Sequence, residues 1–362
     1  MERFIAVDSG KYATKVAEYN AKKESIRTFS IRTKVSDGDF RDDAIEEHTV
    51  VIKIGDATYK VGNGARGQGV ALETDKKTDT HKICVLTALA TVASANEVDE
   101  MNVSVGMPTL DWAQPGKRDD FKKFILPEGE ITVELKKDSN SEVVKKTFKI
   151  KNRYVFPESS GAIWQDEVAE TLSPTSIIGV LDIGNLNLNA TLWQGTEPII
   201  DKSTTADLGG ALLIRELSQE ISANIVPCNE LITANIIKSE ERALPAGTNV
   251  TDEQRENSRQ LIKKVLLEHA RKVRRVCNTK DWSLDVMKIV AIGGTAKDIE
   301  DELKEVFGNI GILPNPTFCN ALGYLRMMCA RILNKDINLS LAEKTEPAKK
   351  ASIPDKVEKK AG

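Results

Sequence analysis

One pattern occurs twice in this chain and narrows its fold more than any other feature. Phe4-Ile5-Ala6-Val7 is an apolar run stopped by Asp8-Ser9-Gly10, and Thr14-Lys15-Val16-Ala17-Glu18-Tyr19 then alternates. Ile177-Ile178-Gly179-Val180-Leu181 ends likewise in Asp182-Ile183-Gly184, with an alternating segment over 187–194. Each copy reads as a buried strand, a tight glycine turn and a returning strand. Asp8 and Asp182 stand 174 residues apart in a chain of 362. A repeat at about half-length predicts two similarly built α/β domains rather than a short-period solenoid. The length agrees, at roughly 100–200 residues per domain. Leu172-Ser173-Pro174-Thr175 marks the boundary, because a proline disfavours helix in the residue before it. The division is a first domain over 1–174, a second over 175–340 and a tail over 341–362.

Between these landmarks the pattern alternates strand and helix. A hairpin over 50–54 and 57–61 turns at Gly55-Asp56. A helix over 84–95, a strand over 101–106 and a hairpin over 131–135 and 147–150 follow, the last with the polar loop 136–141. The second half carries a helix over 211–224 and a longer one over 252–276. Ile262, Val265, Leu266, His269, Ala270, Val273 and Val276 of the long helix share one face. A strand over 288–292 and helices over 299–307 and 320–333 complete the series. From Glu343 onward the chain is rich in Lys, Glu, Pro and Ala, the composition of an unstructured tail.

Composition excludes several classes. With 51 basic against 54 acidic residues, the net charge of −3 rules out a strongly basic nucleic-acid binder. The basic stripe Arg271, Lys272, Arg274, Arg275 reads as a solvated helix face, or less directly as a filament or DNA-adaptor contact. Three histidines leave little for a histidine-based metal centre. Five cysteines, none at CxxC spacing, argue against a disulfide framework and for a reducing cytoplasm. No signal-peptide core precedes the first strand, and no window approaches the roughly 18 apolar residues of a membrane helix. A cytoplasmic protein is the expectation.

Five segments carry chemistry. In Asp8-Ser9-Gly10-Lys11-Tyr12, a small-residue loop after a strand turns backbone N–H groups toward an anion. Asp8 at the strand end suits Mg2+ held through water, and Lys15 on the next strand suits a phosphate oxygen. The same residues also suit an ordinary hairpin. Asp182-Ile183-Gly184-Asn185-Leu186-Asn187 repeats the logic, and two such loops facing each other form a clamp for a polyphosphate. Glu158, in Phe156-Pro157-Glu158-Ser159, fits a carboxylate orienting an attacking water or a helix N-terminal acid stabilised by the dipole. Asp207-Leu208-Gly209-Gly210-Ala211 precedes a helix whose free N–H groups suit an anion or a ribose. Ile292-Gly293-Gly294-Thr295 reads as bare backbone for a ring or sugar, or as a turn capped by Thr295.

In this order, the segments resemble the phosphate 1, connect 1, phosphate 2, nucleotide-loop and adenosine motifs of the actin/heat-shock-70/sugar-kinase superfamily. The likeness spans residues 4 to about 330. It looks closest to the ParM/StbA plasmid-segregation group, through Asp8-Ser9-Gly10 with Thr14-Lys15-Val16, through Pro157-Glu158-Ser159, and through Ala321-Leu322-Gly323-Tyr324 after Asn315-Pro316. The resemblance implies an actin-like α/β fold of two related ribonuclease-H-like lobes with a nucleotide cleft between them. It implies ATP (or GTP) with Mg2+, head-to-tail filaments, and hydrolysis stimulated by polymerisation.

Carried over, Asp8 and Asp182 flank the metal's water shell, and Glu158 positions the water. Ser9, Gly10, Lys11, Tyr12, Gly184, Asn185 and Asn187 face the phosphates, and Lys15 touches the terminal ones. Gly209, Gly210, Gly293, Gly294 and Thr295 line the nucleoside, with Arg259 and Lys263 toward the adenine. Asn185-Leu186-Asn187 departs from the Gly and Thr or Asp-Gly usual in the second loop. The implied role is a filament-forming ATPase that segregates plasmid DNA through a DNA-binding adaptor protein. The rivals are a small-molecule kinase on the same fold, with Asp111 as its base, and a chromosomal cytoskeletal actin or nucleotide-binding scaffold.

Overall fold

The computed structural model describes residues 2–41, 45–66, 76–247 and 249–343. The chain opens with an antiparallel meander of β1 (Glu2–Ser9), β2 (Ala13–Asn20) and β3 (Ser25–Arg32). β4 (Val35–Asp37) and the hairpin of β5 (Thr49–Ile54) and β6 (Ala57–Gly62) follow. Helix α1 (Asp79–Val92) begins five residues before the expected 84 because Thr78 caps it. β7 (Val98–Met107), α2 (Thr109–Trp112) and α3 (Lys117–Ile125) lead to the antiparallel pair β8 (Glu130–Lys136) and β9 (Val144–Pro157). Two short helices, α4 (Ser160–Ile163) and α5 (Asp166–Ala169), end this half.

The second half restarts with β10 (Ile177–Ile183), β11 (Leu188–Gln194) and β12 (Glu197–Ala206), again antiparallel. Helices α6 (Gly210–Asn224), α7 (Glu230–Lys238) and α8 (Asp252–Asn278) follow, α8 held at its start by a capping box of Thr251 and Gln254. β13 (Lys288–Ile292), α9 (Gly294–Asp298), α10 (Glu300–Phe307), β14 (Ile310–Ile312), α11 (Cys319–Leu333) and β15 (Ala342–Glu343) complete the chain. Ala342 and Glu343 thus pair with Ile26 and Arg27 instead of opening the tail. The rest of the expected tail lies outside the described residues.

The sheets run β15-β3-β2-β1-β7-β9-β8-β5-β6-β4 and β12-β11-β10-β13-β14. Both contain one plan, an antiparallel meander followed by two parallel strands: β3-β2-β1-β7-β9 in the first, all five strands in the second. The sequence repeat is therefore a repeat of sheet topology. In register, Asp8 lies across from Lys15 and Asp182 across from Asn189, seven residues on in each copy.

Helices cover these sheets through their apolar faces. Ile83, Leu86 and Leu89 of α1 share a core with Val7, Val103 and Val105. The α8 stripe, Ile262, Leu266, Ala270, Val273 and Cys277, is buried against the second sheet together with α6 and α10. Val265 and Val276 sit at its margin. Each of the buried Ile, Leu and Val side chains stabilises the fold by roughly 1.5–3 kcal/mol.

Three helices pack on the sheet of the other half. Ala321, Leu325 and Met328 of α11 pack on Phe4, Ala6 and Ala17 of the first sheet. Ala162, Ile163 and Val168, from α4 and α5, pack on Ile178, Val180, Val290 and Ile292 of the second. α4 and α11 meet through two glycines: a Cβ on Gly323 would stand 2.3 Å from the Gly161 carbonyl oxygen, and one on Gly161 would stand 2.4 Å from the Asn320 Cα. Residue 174 therefore separates the sheets, β15 excepted, while helix packing crosses it. Among the described residues no helix is long and apolar enough to cross a membrane.

Candidate functional site

The two Asp-x-Gly turns lie at the ends of the equivalent strands β1 and β10 of the two sheets, and Glu158 follows directly on β9. The strand ends converge. Asp182 is electrostatically coupled to both Asp8 and Glu158. Three carboxylates from three strand ends thus share one polar centre between the lobes.

The first loop is pinned from β3. Thr33 Oγ1 donates to the Gly10 carbonyl (2.6 Å), and the Thr33 N–H donates to the Tyr12 carbonyl (3.0 Å). Thr14 and Thr33 hydroxyls lie 3.0 Å apart, and Ser9 Oγ lies 3.4 Å from Thr14. Carbonyls 10 and 12 are thereby turned into the protein. The exposed Tyr12 ring lies under the Arg32 guanidinium, 3.2 Å from its carbon. Lys15 Nζ stands 3.6 Å from Asp8 Oδ2.

The second loop is pinned from two sides. The N–H groups of Gly210 and Ala211 donate to the carbonyls of Gly184 (3.0 Å) and Asn185 (2.7 Å), and Thr295 Oγ1 also donates to Gly184 (2.8 Å). This corrects the expectation of a free helix N-terminus after Asp207: the first donors of α6 hold the loop. Gly209 and Gly210 are bare for packing, since a Cβ on either would stand 2.4–2.5 Å from Leu186 or from Thr295. Thr295 reaches the loop rather than capping α9. Gly293, at φ 97°, admits the end of β10, where a Cβ would stand 2.3 Å from the Ile183 carbonyl oxygen. Gly294 keeps an open face, with only Thr317 Oγ1 at 3.9 Å.

Glu158 is held on every side. Its N–H donates to the Met107 carbonyl (2.8 Å), and Thr109 Oγ1 donates to its own carbonyl (2.7 Å). Ser159, at φ 64°, turns the chain sharply into α4. Of the carboxylate oxygens, Oε2 accepts from Asn189 Nδ2 (2.9 Å) and Oε1 contacts the Lys76 ammonium. Glu158 is thus balanced by a lysine rather than by the dipole of the four-residue α4.

Lys76, Asn189, Asn320 and Thr33 are site residues that the sequence reading does not reach. Asn320, at the start of α11, donates from Nδ2 to Asp182 Oδ2 (2.8 Å), while its Oδ1 is buried without a partner. Burial raises Asp182 to about 6; Lys15 opposes the rise, and Asp8 and Glu158 reinforce it. Burial alone would lower Lys76, yet Glu158 and Asp8 reverse this and hold it above its ordinary value. Lys11 is lowered by burial and by Lys76. His81 falls to about 3 through burial, Lys76 and Lys11.

Arg259, Lys263 and the basic stripe lie on α8, and Asp111 lies on α2. Arg259 pairs with Glu256 on its own helix face, and Lys263 is exposed one turn on. The basic stripe is locally paired: Arg271 and Arg275 with Glu268, Lys272 with Glu216, Arg274 with Asp285. Asp111 pairs with Lys117 (2.6 Å). Among the described residues no three His, Cys, Asp or Glu side chains are grouped to ligate a metal directly.

Residues 6–161 match the family described as actin like proteins N terminal domain. No curated protein matches the chain. Among solved structures, it is similar to Ta0583, an archaeal actin homolog, at 16% identity and a TM-score of 0.74, over 91% of this chain and 100% of that one. It is also similar to an Alp12 filament structure, at 19% identity and a TM-score of 0.67, over 91% and 99%. Bacillus thuringiensis ParM with ATP is a third, at 18% identity and a TM-score of 0.67, over 92% and 100%. At these identities the likeness is one of fold. The family match over residues 6–161 and the shared fold along the chain agree with the duplicated sheet plan: the chain has an actin-like fold.

Proposed function

We propose that the chain binds ATP (or GTP) with Mg2+ between its lobes, hydrolyses it, and assembles head-to-tail into filaments that segregate plasmid DNA through a DNA-binding adaptor. The observation that carries this reading is the convergence of Asp8, Glu158 and Asp182 from three strand ends, framed by two loops whose carbonyls are turned inward. The residues fit the nucleotide. Lys11, Lys15 and Lys76 supply positive charge for phosphates, and each loop turns at a glycine, Gly10 and Gly184. They fit a hydrated cation as well, because Asp8 and Asp182 are paired acceptors and Asn320 Oδ1 has an unused lone pair in the same place. Magnesium, when bound, supplies charge neutralisation on the phosphates.

The chain's own residues do the rest. Asp8 and Asp182 accept from the cation's waters. The loop backbones and Lys15 hold the phosphates. Glu158, fixed by Asn189 and by its own main chain, orients a water for attack, which is the positioning that phosphoryl transfer requires. A nucleotide gripped by both lobes favours one lobe arrangement over others, and that arrangement sets affinity for neighbouring copies. A contact that does not close on itself extends into a helical filament. The solved Alp12 relative is described as a filament, which supports self-assembly here. Near-neutral charge suits packing of like copies and DNA contact through an adaptor.

The test is sedimentation with ATP and Mg2+, with phosphate release followed across protein concentration. Polymer that pellets, and release that rises more steeply than linearly with concentration, support the reading. No pellet at any concentration refutes assembly, and release proportional to protein refutes its coupling to hydrolysis.

A further inference from the structure

Lys76 has no place in the motifs above, yet it sits at their centre. Its side chain is only 8% exposed, its ammonium contacts Glu158 Oε1, and it lies 3.9 Å from Asp8 Oδ1. The other Glu158 oxygen accepts from Asn189. Each oxygen of the water-orienting carboxylate therefore has one side-chain partner, Lys76 from the first lobe and Asn189 from the second. Lys76 belongs to the first lobe, two residues before Thr78, which caps the buried helix α1. Asn189 belongs to the second, on β11. An ionised carboxylate keeps further lone pairs, but an ammonium seated on Oε1 draws on its charge and occupies the space beside it, so that oxygen is a poorer acceptor for a water hydrogen. A buried lysine released from its carboxylate needs another anion, because an unpaired buried charge is costly.

We propose that Lys76 is a triphosphate sensor: it locks Glu158 when no terminal phosphate is present, and it moves onto that phosphate when one is, freeing Oε1 to receive water. This rests on the nucleotide-binding reading. The terminal phosphate offers an ammonium more negative charge than one carboxylate does, so the exchange is downhill only for a triphosphate. A diphosphate leaves the lock closed. Lys76 acts through Glu158 and the phosphate, and is a positioning and selectivity residue.

The experiment compares dissociation constants for ADP and a non-hydrolysable ATP analogue, both with Mg2+, by titration calorimetry. Wild type, K76M, K76R, E158Q and K76M/E158Q are measured. K76M is expected to weaken the triphosphate by about tenfold or more, the loss of one charge-assisted hydrogen bond, and ADP by less than about threefold. K76R is expected to recover most of the triphosphate preference. If K76M fails to fold because Glu158 and Asp8 lose their counter-ion, E158Q against K76M/E158Q gives the same comparison with the charge pair removed as a whole. Equal weakening of both nucleotides, or an unchanged preference for the triphosphate, overturns the sensor while leaving nucleotide binding intact. A wild-type chain that binds neither nucleotide overturns the binding reading itself, and the sensor with it.

Discussion

Replacing Asp182 by Asn isolates one charge at the centre of the site. Burial lifts this carboxyl from 3.8 to about 6, reinforced by Asp8 and Glu158 and opposed by Lys15 and the Asn320 amide. A folded-state value above the unfolded one means that the folded protein binds the extra proton between about pH 4 and 6. Stability then falls as pH rises through that window. At about 1.36 kcal/mol per pH unit, the full loss above pH 6 is about 3 kcal/mol at most, since the cleft leaves Asp182 only partly buried. An Asn keeps the shape, can still accept from Asn320, and carries no charge. The difference in unfolding free energy, D182N minus wild type, should be near zero at pH 4. It should climb to about 1–3 kcal/mol in favour of D182N by pH 7. Urea unfolding without nucleotide and with a chelator measures it. Taking the difference cancels the histidines that titrate in the same range. Added ATP and Mg2+ should reverse the order, stabilising wild type more than D182N, because the charge then has a cation to meet. A difference that is flat with pH, or a D182N that is less stable at pH 7, refutes the reasoning.

Three further outcomes are expected. E158Q should slow phosphate release by roughly 10²–10⁴-fold, with the ATP dissociation constant within about threefold of wild type; a rate within tenfold of wild type counts against Glu158 as the water-orienting group. His81, held near pH 3 by burial, Lys76 and Lys11, binds its proton only in the unfolded chain at mildly acid pH, so stability is lost as pH falls below about 6.5. By pH 5 this amounts to about 2 kcal/mol, which H81Q should not lose in urea unfolding. Leu231 on α7 is 73% exposed, and Val286, between α8 and β13, is 87% exposed. Large apolar side chains bare to solvent suit a contact between copies, so L231D or V286D should raise the protein concentration needed for pelleting at least about tenfold without lowering the melting temperature.

The two Asp-x-Gly turns were legible because everything that makes them is local: an apolar run, a carboxylate, a glycine and an alternating return. The long helix was legible through its period. β12 is hidden because, at the sheet edge, its residues are mostly half-buried and its pattern is weak. β3 is hidden because Thr28 occupies a buried position where an apolar residue would reveal the alternation. Lys76 lies in Asp75-Lys76-Lys77-Thr78-Asp79, which reads as solvated charge; only the fold shows one of these lysines buried among carboxylates. Asn320 is hidden for another reason. It opens a helix of the second half that packs on the first sheet, and periodicity reports an apolar face without reporting which sheet receives it.

The duplicated plan also explains why the halves of the site differ. Lys15 and Asn189 occupy the same position, across the strand pair from Asp8 and Asp182. In the first copy that position carries an ammonium, which lies 3.6 Å from its own Asp. In the second it carries an amide, which turns from its own Asp to donate to Glu158. Asp182 takes its donor instead from Asn320, brought in by α11. The charge needed for phosphates is therefore concentrated in the first lobe, with Lys11, Lys15 and Lys76. The second lobe supplies neutral donors that fix the direction of Glu158 and Asp182 without neutralising them. A lysine at position 189 would give Glu158 a second cation and weaken it as an acceptor for water. The amide there orients the carboxylate and leaves its charge in place.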